Sequence, residues 1–251
     1  MIHSFSDATI VRFSRKMLDA PEQNNMGLHV ARCQEDVIAN RRNFLQSFGY
    51  TLDDLVCAEQ THSAVVHKVT AADRGAGSTQ YETGIPVADA LYTRESDIVL
   101  GTFVADCIPV VLWDPVQQII GVVHSGWQGT VKEIVRVMIQ TLVRDEQCDP
   151  STLQLWLGPS LSERRFEVDR DVYEQFFDLP YARPFIRWNE QTNKWHIDTK
   201  AVVREQALQE GVLRKHLSID ATCTFDAIDG FSYREDRSCG RHLATIVRPS
   251  N

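Results

Sequence analysis

Residues 102–129, TFVADCIPVVLWDPVQQIIGVVHSGWQG, constrain the fold of this chain more than any other stretch. Two apolar runs, 108–113 and 119–123, are joined through Asp114-Pro115, a pair that favours turns. Runs so close together predict an antiparallel hairpin. Cys107 stands where the first strand begins and His124 where the second ends, so the hairpin carries a thiol and an imidazole to the same end. Beyond His124, Gly126-Trp127-Gln128-Gly129-Thr130 reads as a turn, and the spacing of apolar residues over 131–142 predicts a helix. Its free N–H groups and dipole then lie near the imidazole, where an anion such as phosphate is favoured. A tight strand-to-helix turn explains the same glycines.

Strand patterns recur at 8–13, 55–69 (with a turn at 60–63), 88–93, 98–104, 153–157 and 243–247. Helical patterns occupy 34–48, 169–177 and 199–209; Gly49 stops the first and Gly211 the last. Residues 71–84 read as a surface loop, and 178–196, with Pro180 and Pro184, as irregular. Strands outnumber long helices and the two are interspersed. That predicts an α/β protein with mixed sheets in one continuous domain over residues 1–251.

Composition narrows the function. No apolar run reaches the length of a membrane span, and the first residues lack the basic and apolar blocks of a secretory signal. A cytoplasmic enzyme with no membrane partner is the expectation. The formal charge of −8 argues against nucleic acid as the main partner, while leaving room for a few arginines to hold phosphate. Six cysteines, none in a C-x-x-C pair, read as thiols rather than disulfides.

His62 falls in the turn at 60–63, far in sequence from Cys107 and His124, and spacing does not group the three. A Cys–His pair can form an activated nucleophile. Two imidazoles and a thiolate can instead hold Zn²⁺ with a fourth position left for water or substrate. An ordinary buried cysteine beside a strand-end histidine is equally compatible with the pattern. Arg41 and Arg42 read as solvated charges on the first helix, His67 as a structural strand residue, and Arg234 and Arg241 as either surface charges or groups facing a pocket.

The sequence Ala105-Asp106-Cys107-Ile108-Pro109, the hairpin, and Val123-His124-Ser125-Gly126-Trp127-Gln128-Gly129 together resemble the YfiH/YlmD family, also called laccase-domain proteins or multicopper polyphenol oxidases. Further matches are Met26-Gly27-Leu28-His29-Val30, Asn40-Arg41-Arg42, Gln60-Thr61-His62-Ser63, Ala88-Asp89-Ala90, Gly158-Pro159-Ser160, Phe166-Glu167-Val168, Phe231-Ser232-Tyr233-Arg234 and Gly240-Arg241. The resemblance covers nearly the whole chain. It implies mixed sheets sandwiched between helical layers, an α/β/β/α arrangement. It also implies metal ligation by His62, Cys107 and His124, and substrate binding by Arg41.

The implied activity is zinc-dependent phosphorolysis of purine nucleosides (adenosine, inosine, 5′-methylthioadenosine) with adenosine deamination. Gly126, Trp127 and Arg241 become candidates for holding phosphate or base, and Asp106 for moving a proton or orienting a ligand. Alternatives are a hydrolase that edits peptidoglycan precursors with Cys107 as nucleophile, a copper-dependent polyphenol oxidase, and a non-enzymatic metal-binding partner. The eight histidines contain no His-x-His, which opposes a multicopper centre. The chain departs from the family pattern at Arg12-Phe13-Ser14-Arg15-Lys16-Met17 and at Gln128, where arginine is common.

Overall fold

In a computed structural model that describes residues 2–3, 5 and 8–250, the hairpin pairs Ile108–Asp114 with Ile119–Ser125. Pro109 faces His124 and Ile108 faces Ser125 across it. Every residue of both strands is buried, because the hairpin is the middle of a sheet covered on both sides. That six-stranded mixed sheet runs Leu217–Ile219, Gln154–Leu157, Ile108–Asp114, Ile119–Ser125, Ala90–Thr93, Val66–Lys68. A five-stranded sheet runs Ile2–His3, Ile10–Phe13, His242–Val247, Val99–Val104, Leu55–Cys57.

Period-two alternation sorts the side chains into layers. Val111, Trp113, Ile120 and Val122 meet Val11, Val56, Leu100 and Ile246 of the five-stranded sheet, forming the seam between the sheets. Ile108, Val110, Leu112 and Val123 point the other way, onto Ile134, Val135, Met138, Ile139 and Leu142. The far face of the five-stranded sheet packs Leu55, Val99 and Leu243 against Leu45. The helices are α1 (Gln34–Gln46), α2 (Trp127–Val131), α3 (Ile134–Glu146), α4 (Arg170–Phe177) and α5 (Thr199–Gln209). Helix α1 covers one sheet and α3 with α5 the other, which is the α/β/β/α order. Burial of each large side chain of the α3 stripe contributes roughly 1.5–3 kcal/mol. Gly121 makes the close approach of α3 possible: a Cβ there would stand 2.7 Å from Met138 Cε and 3.0 Å from the Leu91 carbonyl oxygen.

Two local expectations are corrected, and a third stretch, read as strand, turn and strand, spans two sheets. The helix expected over 131–142 is two helices, broken at Glu133, whose φ is 60°. Neither glycine nor proline marks that break; the Glu133 carboxylate instead accepts from Arg136 and from the Tyr181 hydroxyl at 2.6 Å. The irregular region 178–196 contains a second hairpin, Ile186–Asn189 with Lys194–Ile197, extended by Glu167–Val168 into a small third sheet. Asn193 takes the left-handed conformation there (φ 53°), which asparagine tolerates. Finally, the strands at 55–57 and 66–68 do not pair with each other. They belong to different sheets, so the connection between them crosses the sandwich with His62 on it.

Candidate metal centre

That crossing brings His62 to the end of the hairpin. One ligand atom each from His62, Cys107 and His124 lies within 4.8 Å of the others. The two imidazole rings meet nearly edge to face, 4.8 Å between centroids. Among the described residues this is the one group of three or more His, Cys, Asp or Glu side chains so arranged. Gly126 leaves the space they need, since a Cβ there would stand 2.9 Å from Cys107 Sγ and 2.8 Å from His62 Cδ2.

Asp89 organises the cluster, and sequence reasoning gave it no role. Its carboxylate has no exposed surface. It accepts from His124 Nδ1 at 2.8 Å, from the backbone N–H groups of Thr61, His62 and Ser63 at 3.2, 3.1 and 2.6 Å, and from Ser63 Oγ at 2.7 Å. His62 itself sits at φ 57°, a costly conformation for a non-glycine residue, and these bonds hold it there. The bond at Nδ1 leaves Nε2 of His124 as the free ligand nitrogen, the arrangement that outer carboxylates impose on metal-binding histidines. Burial and the hydrogen bonds from His124 and Ser63 oppose each other at Asp89, and the hydrogen bonds win, holding its carboxyl well below the usual range.

Without metal the same balance polarises the other two groups. Burial would raise the Cys107 thiol, but the charge and hydrogen bond of His124, with a hydrogen bond from His62, bring it down to about 6. Burial would lower His124, but the Cys107 thiolate and Asp89 raise it to about 9. A thiolate–imidazolium pair results, and thiolate with neutral imidazoles is the protonation a divalent ion would select. The donor set, the spacing, the Gly126 gap and the carboxylate behind His124 all fit a soft divalent metal.

The cluster opens into a cleft of about 800 Å³. One wall carries His29, Tyr81 and Phe103, with ring centroids 5.3 Å apart for His29–Tyr81 and 6.4 Å for His29–Phe103. His29 is exposed on that wall; desolvation by the groups packed around its ring, then the charges of Arg241 and Arg41, lower it to about 4. A further part of the rim is the C-terminal segment with Arg234, Arg237 and Arg241, the last of them close to His29. Asp106 joins the rim to the metal cluster. At φ 80° it directs one carboxylate oxygen to Thr224 Oγ1 and the other to the Arg234 backbone N–H, both 2.7 Å away.

Arg41, expected to bind substrate, is only 1% exposed and is not among the residues that line the cleft. Its guanidinium donates to the carbonyls of Met26, Gly77 and Ser78 at 2.7–2.8 Å and lies 4.5 Å from the Phe103 centroid, so it supports the aromatic wall from behind. Trp127, Gln128 and Arg241 do line the cleft. Gly126 caps only the five-residue α2, not the long helix expected over 131–142, and a dipole so short holds an anion weakly. His67 is outside the cluster, on the strand Val66–Lys68. The Ala88-Asp89-Ala90 and Gly27-Leu28-His29 matches were the available signals for Asp89 and His29, but neither specified what the side chain does.

A fold of two mixed sheets between helical layers, with a His–Cys–His cluster at one end of the central hairpin, defines a class, and comparison with known proteins supplies the family. The family model described as multi-copper polyphenol oxidoreductase laccase matches residues 12–249, and the chain belongs to that family. It is 34% identical over 227 residues to "Purine nucleoside phosphorylase YlmD" of Bacillus subtilis strain 168, covering 90% of this chain and 82% of that one. It is 34% identical over 177 residues to "Adenosine deaminase RL5" from an unknown prokaryotic organism, covering 70% of this chain and 67% of that one. The crystal structure of Bacillus licheniformis hypothetical protein YfiH superposes with a TM-score of 0.90 at 29% identity, over 95% of this chain and 92% of that one.

Proposed function

We propose that this chain is a zinc-dependent purine nucleoside phosphorylase that also deaminates adenosine, with His62, Cys107 and His124 as the zinc ligands. The observation that carries the reading is the convergence of a thiol and two imidazoles at the floor of a cleft with an aromatic wall, in a family whose relatives bear those two names. One thiolate and two imidazoles suit zinc. Among the described residues the copper reading lacks an axial methionine: Met26 and Met138 are committed to hydrophobic clusters elsewhere and Met17 lies on the surface. A bound zinc ion would supply a Lewis acid at the open end of the cluster.

The rest of the chemistry belongs to the protein. His29, Tyr81 and Phe103 present ring faces and edges on which a purine can stack. His29, neutral above about pH 4, can donate to or accept from the base through its ring nitrogens. Asp89 keeps the ligand histidines in place. In phosphorolysis a phosphate oxygen bonds to the ribose C1′ while the bond from C1′ to the purine nitrogen breaks. The electron pair leaves with the base, which takes up a proton. Deamination adds water at C6 and releases ammonia. The partners are therefore purine nucleosides and phosphate. No helix of the described residues is long and apolar enough to cross a membrane.

Incubation with adenosine and phosphate is expected to yield adenine and ribose 1-phosphate, with inosine from deamination. Absence of product from adenosine and inosine at high concentrations of zinc-replete protein would overturn the proposal. A second reading, a hydrolase with Cys107 as nucleophile, is favoured by the lowered Cys107 thiol beside His124. Cys107→Ala separates the two: a ligand role predicts joint loss of zinc and activity, a nucleophile role loss of activity with zinc retained.

A further inference from the structure

We infer that Arg234, Arg237 and Arg241 form a binding wall for a phosphoryl dianion on the rim of the metal-centre cleft. The inference rests on the phosphorolysis reading only for what the anion does, not for its binding. All three side chains line the cleft and come from one short segment of a chain whose net charge is −8. Arginines in so acidic a protein are ordinarily taken up by carboxylates. Among the described residues these three form no ion pair. The acids lining the same cleft are already engaged. Glu167 lies 3.4 Å from His196, Asp169 lies 3.3 Å from Lys194, and Asp106 accepts from Thr224 and the Arg234 backbone. With Asp169 balanced by Lys194, the three arginines outnumber the two remaining carboxylates of the lining, Asp106 and Glu167.

Two of the guanidinium groups are also held in position. Arg234 Nη1 donates to the carbonyls of Glu167 and Arg165 at 2.8 and 3.2 Å, and its guanidinium carbon lies 5.7 Å from the Phe166 centroid. Arg241 Nη1 donates to the carbonyls of Cys239 and Gly240 at 2.7 and 3.1 Å. Its aliphatic stem packs where Gly27 has no side chain, since a Cβ there would stand 2.8 Å from Arg241 Cγ. Anchoring through Nη1 to neutral carbonyls fixes the fork without neutralising it. Nε–H and Nη2 have no protein acceptor among the described residues and are available to phosphate oxygens. Arg237 is exposed and makes no protein hydrogen bond there, so it adds charge at the entrance. The Asp106 bond to the Arg234 backbone fixes this wall relative to Cys107, the next residue in the chain.

The ligand is a phosphoryl dianion, either free phosphate or one carried on the substrate. The test is titration of the zinc-replete protein with inorganic phosphate and, separately, with adenosine 5′-monophosphate against adenosine, by calorimetry. Wild type is compared with Arg237→Gln, Arg234→Gln and the double variant. Arg237 has no packing role to lose, which keeps the test valid if Arg234→Gln folds poorly. Phosphate binding weakened about tenfold per arginine, with adenosine affinity unchanged, supports the wall with free phosphate as its ligand. The same loss seen only for the nucleotide supports it with a substrate-borne phosphoryl group. Unchanged binding of both in Arg237→Gln and the double variant overturns it. Arginine-dependent phosphate binding by a protein that phosphorolyses no nucleoside would sink the proposed activity and leave the wall standing. Phosphorolysis with an unaltered KM for phosphate in these variants, together with unaltered binding of the nucleotide, would sink the wall alone.

Discussion

Two aspartates divide the labour around the cleft, and their settings differ. Asp89 has no exposed surface, and its five short contacts come from both histidine-bearing segments. Asp106 is half-buried and makes two contacts, both to the C-terminal segment. The first holds the metal ligands to each other; the second holds the arginine rim to the metal centre. A buried carboxylate has nowhere to go when a partner is lost, whereas a half-buried one can recover hydration. Damage at Asp89 should therefore spread to the metal, and damage at Asp106 should stay at the rim.

The largest effect on metal binding is expected from Asp89→Asn. The amide cannot supply two acceptor oxygens to the same donors, and its NH₂ group faces N–H groups instead. Metal affinity should fall roughly 10- to 100-fold, measured by competition with a chromophoric chelator. An Asp89→Asn protein that binds zinc like the wild type would show that the ligand triad stands without the knot, and the contrast with Asp106 would collapse.

Acid should separate the two halves next. His242 ties together both ends of the arginine segment: its Nε2 accepts from the Phe231 N–H at 2.7 Å and its Nδ1 donates to the Ser14 carbonyl at 2.9 Å. Burial lowers His242 from the ordinary imidazole value to about 4. A folded value below the unfolded one means the fold prefers the neutral ring. That contribution is fully present above about pH 6.5 and is lost as the pH falls through about 4. A shift of this size corresponds to roughly 3 kcal/mol. Amide protection factors, corrected for the intrinsic pH dependence of exchange, should therefore fall between pH 6.5 and 4 at 231–242 before they do at 61–63. A simultaneous fall in both would mean the two halves are not separate units.

How much of this was readable beforehand follows from where the determining contacts come from. The hairpin was legible because both of its strands and its turn lie within one stretch, and its register carries Cys107 and His124 to one end without help from elsewhere. The layered fold followed from the density of apolar strands. His62 was legible only by family resemblance, since its place depends on a connection that crosses between two sheets, and no local periodicity encodes a crossing. Asp89 looked like one more short motif because its donors lie 26 to 35 residues away. Arg41 was misplaced for the opposite reason: an arginine on an amphipathic helix looks solvent-facing or functional, and only the tertiary fold supplies the three carbonyls that bury it.

A smaller effect is expected at the rim from Asp106→Asn. Asparagine accepts the left-handed backbone at φ 80° as readily as aspartate, so the substitution tests the carboxylate and not the turn. It places an amide NH₂ toward one of two donors, Thr224 Oγ1 or the Arg234 N–H, and should cost about 1–2 kcal/mol in chemical denaturation. Zinc content should be unchanged while phosphate binding weakens. Loss of zinc in this variant would mean the clamp reaches Cys107 and that the rim and the centre are one device.

The smallest effect gives the sharpest test of the knot. Ser63 bonds Asp89 twice, through its N–H at 2.6 Å and its hydroxyl at 2.7 Å. Ser63→Ala removes only the second, together with the 3.2 Å bond that the hydroxyl accepts from the Val65 N–H and its weak 3.4 Å contact with the Val87 carbonyl. The cost should be about 1 kcal/mol, or a roughly fivefold loss in metal affinity. Combined with Asp89→Asn it should add little, because the interaction it removes is already broken. Full additivity would show that the hydroxyl acts through the Val65 backbone and not through the carboxylate. Asp89 would then hold His62 by its three backbone donors alone, and the 61–63 turn would be placed by main-chain hydrogen bonding.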